Sequence, residues 1–232
     1  TNKMELWNGS SWTETTDMNS PRFYGASTGN SPQTSALVFG GFPGTPATAN
    51  TESWNGSSWT EVSNLNTARG ELGGAGSAYT EALAFAGRSP PNTKTVLTEF
   101  YDGSTWTEVA DASNARSTVA DAGNHNSALK IGGLEPAPAT TSTEEFTAPT
   151  TISKLNVGQV FFNSTANAFK VTKQAVGDGT WASGGSLNTA RYAMGASGAS
   201  NTAALVFGGV SNSALTELYN GSSWTEVNDL NA

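Results

Sequence analysis

The sequence predicts an all-β fold made of repeated four-stranded antiparallel sheets. Three observations carry this prediction. Two short motifs alternate along the chain, Asn-Gly or Asp-Gly pairs separate short aromatic runs, and no stretch shows the 3.6-residue periodicity of a helix. A fixed repeat is typical of folds that stack one supersecondary unit many times. The 232 residues are enough for one large all-β domain.

The first motif predicts a hairpin in each repeat. Residues 5–14 read Glu-Leu-Trp-Asn-Gly-Ser-Ser-Trp-Thr-Glu, and a degraded copy that begins at Glu144 has its tryptophan displaced to Trp181. Asn-Gly between short apolar runs favours a type I′ turn, which requires positive φ at both central residues. The motif therefore predicts two strands and a tight turn. Its other copies occupy 52–61, 99–108 and 217–226, and Trp12, Trp59 and Trp106 follow at steps of 47 residues.

The second motif predicts two further strands in each repeat. It reads Ala-Leu-x-Phe-Gly-Gly with minor changes, and a Gly/Ala-rich run that follows an arginine precedes it. The apolar run indicates a short buried strand, and the small residues are typical of a crowded neighbouring strand. The motif begins at Ala36, Ala82, Ala128 and Ala204, and the arginines are Arg22, Arg69, Arg116 and Arg191.

Radial packing of the repeats would bury both faces of each sheet, because one sheet of about 45 residues cannot do so alone. This is the β-propeller arrangement. The order Gly-Gly, Tyr or Trp, Trp, then Arg resembles the kelch repeat of β-propellers over nearly the whole chain. The resemblance implies a single kelch-like propeller domain over residues 1–232, with four-stranded antiparallel blades in four full repeats plus a half repeat.

The repeat is interrupted in its third full copy. The pair Gly132-Gly133 is followed 76 residues later by the equivalent pair Gly208-Gly209, against a step of 46 elsewhere. Alternating residues in this insertion predict a β-hairpin within 149–180. The hairpin is interpreted either as a cap on a blade edge or as an interaction arm that docks on a neighbour.

The ends of the chain are out of phase with the repeat. The chain opens Thr1-Asn2-Lys3 without an initiator Met, which suggests a processed or excised chain, and its first unit is an outer half-unit. The half-unit could belong to a longer array, be completed by another chain, or take its missing strands from the insertion. We favour five sectors, one of them incomplete in this chain.

Composition excludes several functional classes. The formal net charge is −8, which argues against a nucleic-acid groove or an anionic membrane surface, and no apolar run is long enough for a membrane span. The chain has no cysteine and one histidine, His125, so thiolate and multi-histidine metal centres are excluded. His125 lies in a predicted exposed turn. We therefore expect no catalytic residue, no metal site and no cofactor.

Recurring residues have a structural and a functional interpretation. The tryptophans either fill the space between blades or offer sugar-stacking platforms. The four repeat arginines either form buried pairs with the recurring glutamates and backbone carbonyls or make an anion-binding ring. In both cases the structural interpretation is favoured.

The loops after each Gly-Gly predict the ligand-binding face. They vary in sequence and length and are rich in proline, whereas the Asn-Gly turns at the opposite face barely change. Recognition residues concentrate on variable loops that a rigid scaffold holds. The candidate ligand-binding residues on these loops are Phe42, Arg88, Asn92, Glu135 and Asn212.

The polar sequence of the repeats is similar to that of kelch-like proteins of marine bacteriophages. This resemblance implies a non-enzymatic binding or structural module on a virion or otherwise extracellular, such as a phage tail or fibre component. Its expected partners are a host-surface glycan or protein, other virion proteins or copies of itself, with no nucleic acid and no membrane insertion. The alternatives are a carbohydrate-active enzyme on a propeller scaffold and a purely structural assembly subunit.

Overall fold

The computed structural model describes residues 2–135, 138–148, 160–163, 168–171, 179–210 and 213–231. All regular secondary structure in these ranges is β-strand, which confirms the all-β prediction. The chain begins with a two-stranded hairpin of β1 (Glu5–Trp7) and β2 (Trp12–Glu14).

Four four-stranded antiparallel sheets follow, and in each of them the strands lie side by side in chain order. This confirms the strand order predicted from the two alternating motifs. Sheet 1 comprises β3 (Ala26–Ser27), β4 (Ala36–Phe39), β5 (Thr51–Trp54) and β6 (Trp59–Val62). Sheet 2 comprises β7 (Gly73–Ala78), β8 (Glu81–Phe85), β11 (Thr98–Tyr101) and β12 (Trp106–Glu108), with the short ribbon β9 (Arg88–Ser89) and β10 (Thr93–Lys94) between its second and third strands. Sheet 3 comprises β13 (Ala120–Asn124), β14 (Ser127–Ile131), β15 (Thr143–Thr147) and β18 (Thr180–Ser183), and sheet 4 comprises β19 (Gly195–Ser200), β20 (Ala203–Phe207), β21 (Thr216–Tyr219) and β22 (Trp224–Glu226).

The insertion in the third repeat contains a strand pair. β16 (Val160–Asn163) and β17 (Ala168–Val171) are antiparallel, with Val160 opposite Val171. The remaining residues of the predicted 149–180 hairpin, apart from 179 and 180, lie outside the described residues.

The first strands of successive sheets contact one another in chain order: β3 contacts β7, β7 contacts β13, and β13 contacts β19. Small residues permit this approach. A Cβ on Gly74 would lie 2.7 Å from the carbonyl oxygen of Ser27, so a larger residue would push the first strands apart. The Gly/Ala-rich runs therefore let adjacent sheets meet closely along one line.

The hydrophobic core lies between successive sheets. Leu37 and Phe39 of sheet 1 are fully buried against Trp106 and the second strand of sheet 2. Equivalent clusters join sheet 2 to sheet 3 and sheet 3 to sheet 4. The apolar second strand of each of sheets 1 to 3 thus packs on the following sheet, which gives one apolar cluster at each of the three junctions.

The tryptophan landmarks divide into buried and exposed pairs. Trp54 and Trp59 face each other across β5 and β6, and both are buried, with ring centroids 5.3 Å apart. Trp106 and Trp224 are likewise buried, in agreement with the space-filling interpretation. The hairpin β1–β2 differs, because its tryptophans remain on the surface.

Candidate functional site

A buried arginine anchors the start of each four-stranded sheet. In sheet 2, the guanidinium of Arg69 donates to the carbonyl oxygens of Ala86 (3.1 Å) and Leu97 (2.7 Å) and to the carboxylate of Glu99 (2.8 Å). The same three contacts recur in every four-stranded sheet, and all these arginines are buried. The structure thus favours the buried-pair interpretation over a solvent-facing arginine ring. The other pairs are Arg22–Glu52, Arg116–Glu144 and Arg191–Glu217.

The residue two positions after each anchoring arginine has a left-handed backbone. These residues are Tyr24, Glu71, Thr118 and Ala193, with φ between 53° and 55°. Their peptide groups form a chain of hydrogen bonds from repeat to repeat: the N–H of Glu71 donates to Tyr24, that of Thr118 to Glu71, and that of Ala193 to Thr118. Left-handed backbone is unfavourable for residues with a Cβ and persists only where the surrounding structure enforces it. Here the buried arginines and these bonds enforce it.

The four left-handed residues line one cleft of about 700 Å³. Its lining also includes Arg88, Asn92 and Lys94, which lie on the variable segment after Ala86-Gly87, and Tyr192, which directly follows an anchoring arginine. A second groove of about 460 Å³ adjoins it, and both Arg88 and Asn92 line both spaces. Variable side chains are therefore brought together from all four repeats.

Arg88 is the centre of the polar network in the cleft. Its guanidinium donates to Glu71 (2.5 Å) and to the side-chain oxygen of Asn92 (2.7 Å). Thr118 donates from its hydroxyl to the second carboxylate oxygen of Glu71 (3.3 Å). These bonds fix the donors and acceptors before any ligand arrives. They also leave Arg88 about one-third exposed, so it can still meet a ligand.

An aromatic rim borders the polar network. The rings of Phe23 and Phe42 stack with centroids 5.6 Å apart, and Tyr24 meets Phe23 edge-on. Arg88 lies over the ring of Phe42 at 5.5 Å. Phe23 and Tyr24 are 53% and 59% exposed, which is unusual for large aromatic residues that have no surface role.

The structure brings three of the five predicted site residues into contact. Phe42, Arg88 and Asn92 form one contiguous group beside the cleft. Glu135 contributes its backbone, since its carbonyl oxygen accepts a hydrogen bond from the Lys94 ammonium (2.5 Å). Asn212 lies outside the described residues.

The left-handed residues of the cleft were not predicted from the sequence. Tyr24, Glu71 and Thr118 stand at one fixed distance after a constant arginine, yet they differ completely in chemistry. A constant arginine followed, two positions later, by a residue of changing chemistry is the sequence pattern from which these positions could have been identified as site residues. The chain of hydrogen bonds between these residues depends on contacts between repeats, which the spacing alone does not specify.

The expectation of an exposed His125 is wrong. Its side chain is 14% exposed and lies 3.2 Å from a carboxylate oxygen of Glu81, against the ring of Phe100. Burial lowers the pKa of His125, and the nearby Glu81 charge opposes that effect. The turn between β13 and β14 is as predicted, but the neighbouring sheet covers it.

A third cavity, of about 270 Å³, lies among the first strands, and Asp121 lines it. Burial raises the pKa of Asp121 to about 7, although a hydrogen bond from the Gly74 backbone lowers it. The surrounding lining is mainly glycine, alanine and serine, such as Gly123 and Ser197. Within the described ranges, no group of three or more His, Asp or Glu side chains could hold a metal ion.

No protein-family model and no curated protein matches the sequence. Among solved structures, the chain is similar to the structure of YjhT, with a TM-score of 0.70 and 11% sequence identity. The match covers 99% of this chain and 78% of the YjhT chain. At this identity the likeness concerns the fold alone. In the described part of the chain, no helix has the length and apolarity needed to cross a membrane.

Proposed function

We propose that the chain is a kelch-like β-propeller of five sectors and a non-enzymatic recognition module of a virion, such as a phage tail or fibre component. It binds a host-surface glycan in the cleft around Arg88. The observation that carries the proposal is the cleft itself, where a pre-formed polar network adjoins an exposed aromatic rim.

The propeller arrangement accounts for the contacts between sheets. First strands that meet in chain order, and a chain of hydrogen bonds across four repeats, are expected where sheets surround a common axis. The cleft then lies at one end of that axis, where loops from every sector converge. Such positions are common ligand sites because a rigid scaffold holds variable loops there.

The chemistry of the cleft suits a sugar. The exposed faces of Phe23 and Tyr24 can pack against the apolar C–H face of a pyranose ring. Arg88, Asn92 and Lys94 can then hydrogen-bond the sugar's polar substituents. Because these polar groups are already held in place, binding costs little side-chain ordering.

A binding role is favoured over glycoside hydrolysis. Hydrolysis of a glycosidic bond usually needs two carboxyl groups on opposite sides of the scissile bond. Of the described residues that line the cleft, Glu71 alone carries a carboxylate, and that carboxylate already accepts from Arg88 and Thr118. Glu71 thus orients Arg88 rather than acting as a free acid or base.

A glycan array of bacterial surface polysaccharides, followed by calorimetry on the positive sugars, tests the proposal. We expect Tyr24→Ala and Asn92→Ala each to weaken binding at least tenfold. Tyr79→Ala is the matched control, because Tyr79 is also exposed but lies in the β7–β8 turn at the opposite end of its sheet. The proposed site would be overturned if no sugar on the array binds, or if Tyr24→Ala and Tyr79→Ala reduce the affinity equally.

A further inference from the structure

Two cations face each other directly across the short ribbon β9–β10. The register of the ribbon places Lys94 opposite Arg88 and Thr93 opposite Ser89. Directly opposed residues of an antiparallel pair lie on the same face with their Cβ atoms about 5 Å apart, and like charges in that arrangement destabilise the pair. Both side chains also line the cleft. The ribbon therefore holds two positive charges close together, an arrangement that folding alone does not favour.

The contacts around the two cations relieve this repulsion only in part. Arg88 is paired with the carboxylate of Glu71. Among the described residues, Lys94 has no carboxylate oxygen within 4.0 Å, and its ammonium donates to the backbone carbonyl oxygen of Glu135. The described lining of the cleft holds two cations and one carboxylate, so it carries a net charge of +1 in a chain whose formal net charge is −8.

The other cations whose side chains the structure describes lie elsewhere. The four anchoring arginines are buried against glutamates, and Lys130 is buried against Glu144. Lys3 is exposed beside two carboxylates and does not line the cleft. Arg88 and Lys94 are therefore the cationic groups that the described part of the chain offers to a ligand in the cleft.

Both cations keep hydrogen-bond donors for a ligand. A guanidinium has five N–H donors, and Arg88 uses two of them, on Glu71 and Asn92. An ammonium has three donors, and Lys94 uses one, on Glu135. Arg88 and Lys94 are both partly exposed, so the remaining donors can reach a ligand. Such donors bind a charged oxygen about twice as strongly as a neutral one.

We propose that the cleft takes an acidic glycan, in which the carboxylate of a sugar acid lies between Arg88 and Lys94. This inference rests on the proposed function and deepens it by naming the class of sugar. The ring of the sugar acid packs on the exposed faces of Phe23 and Tyr24, while its carboxylate accepts from both cations. The bound negative charge also offsets the repulsion between the two opposed cations of the ribbon.

One polymer backbone with three different groups at C6 of each sugar tests the inference. Calorimetry compares polygalacturonate, its carboxyl-reduced neutral form, and the 6-sulfate ester of that neutral form. We expect the acid to bind at least about tenfold more tightly than the neutral polymer, because its hydrogen bonds to the two cations are charge-assisted. Raising the NaCl concentration from about 0.05 M to about 0.5 M should weaken binding of the acid and leave that of the neutral polymer unchanged, because salt screens charges.

Substitutions of Lys94 separate recognition of the acid from a structural role. Lys94→Met should weaken binding of polygalacturonate at least about tenfold and change that of the neutral polymer by less than about twofold. Lys94→Arg keeps the charge and should stay within about threefold of the parent chain. Lys3→Met is the matched control, because Lys3 is an exposed lysine outside the cleft lining. The melting temperature of unliganded Lys94→Met should lie within about 2 °C of the parent value.

The outcomes for the acid and for glycan binding are distinguishable. Equal affinities for the acid and the neutral polymer, or equal losses on both in Lys94→Met, would overturn the acidic ligand and leave glycan recognition in the cleft standing. Tighter binding of the sulfate ester than of the acid would overturn the carboxylate. If polygalacturonate does not bind, the acidic ligand is overturned, and the proposed function is decided by the array and by Tyr24→Ala.

Discussion

Replacing Arg69 by methionine should be among the most damaging single changes to this fold. The side chain is fully buried and donates to two carbonyl oxygens and to Glu99. The Glu99 carboxylate also accepts from the backbone N–H of Asn66 (2.7 Å), so one ion pair joins sheet 2 to the turn that follows sheet 1. The change would leave Glu99 buried without its cation and would remove one donor from each of two carbonyl oxygens, of which that of Leu97 still accepts from the backbone N–H of Ala86.

The expected loss of unfolding free energy is about 3–5 kcal/mol, the usual range when one partner of a buried pair is removed. Arg88→Met is the matched control, since Arg88 is also paired with a glutamate but is about one-third exposed. That control should lose only about 0–1 kcal/mol, because solvent weakens exposed pairs. Glu99→Gln keeps an acceptor for Asn66, so the double variant with Arg69→Met should lose about 1–3 kcal/mol less than the sum of the single losses.

Urea unfolding followed by tryptophan fluorescence measures all four variants. Equal losses for Arg69→Met and Arg88→Met, or a loss below about 1 kcal/mol for Arg69→Met, would refute the role of the buried pair in joining repeats. Additive single losses would show that Arg69 and Glu99 act independently and would refute the coupling.

Three further predictions concern charge, strain and packing. Asp121 has a pKa of about 7 in the folded chain against an ordinary 3.8, so the free energy of unfolding should fall by on the order of 2–4 kcal/mol as the pH rises from about 4 to 7. Asp121→Asn should remove this pH dependence in urea titrations, and a pH dependence that persists in the variant would refute the assignment to Asp121. Ala193→Gly should stabilise the chain by about 0.5 kcal/mol in thermal melts, because relief of the left-handed strain exceeds the added chain entropy, and a loss would show that the position is not strained. Trp106→Ala should cost about 3–5 kcal/mol in the same melts and Trp12→Ala less than about 1 kcal/mol, and comparable losses would contradict the burial difference.

The strand order was predictable from the sequence because its signals are local. Asn55-Gly56 predicts a turn between two strands, and Gly56 has a φ of 95°. The predicted two-residue type I′ turn is wrong, because Asn55 does not have a positive φ and the loop between Trp54 and Trp59 has four residues. The aromatic residues on either side then face each other whichever residues surround them, so the register of Trp54 with Trp59 follows from the turn. The sequence also identified Trp181 as the displaced tryptophan of the degraded copy, and in the structure it lies opposite Phe146.

The cleft was predictable only in part because its geometry depends on contacts between repeats. The variable loops identified Phe42, Arg88 and Asn92, which the structure brings together. Glu71 was missed because its left-handed backbone is enforced by bonds to two other repeats. His125 was misjudged for a similar reason, since a neighbouring sheet covers a turn that is polar in sequence.

The division between constant and variable positions has a physical basis at each junction between sheets. The anchoring arginine joins its own sheet through its side chain and the preceding sheet through its carbonyl oxygen, as Arg69 does with Glu99 and Gly41. Few residues could replace it, because its buried side chain must donate to two carbonyl oxygens and a carboxylate, whereas any residue could make the backbone contact. The residue two positions later continues the chain of hydrogen bonds through its backbone N–H and C=O, which any side chain permits at the cost of the left-handed strain. The chain can therefore hold tyrosine, glutamate, threonine or alanine there, and the chemistry of the cleft can change while the arginine contacts between sheets are kept.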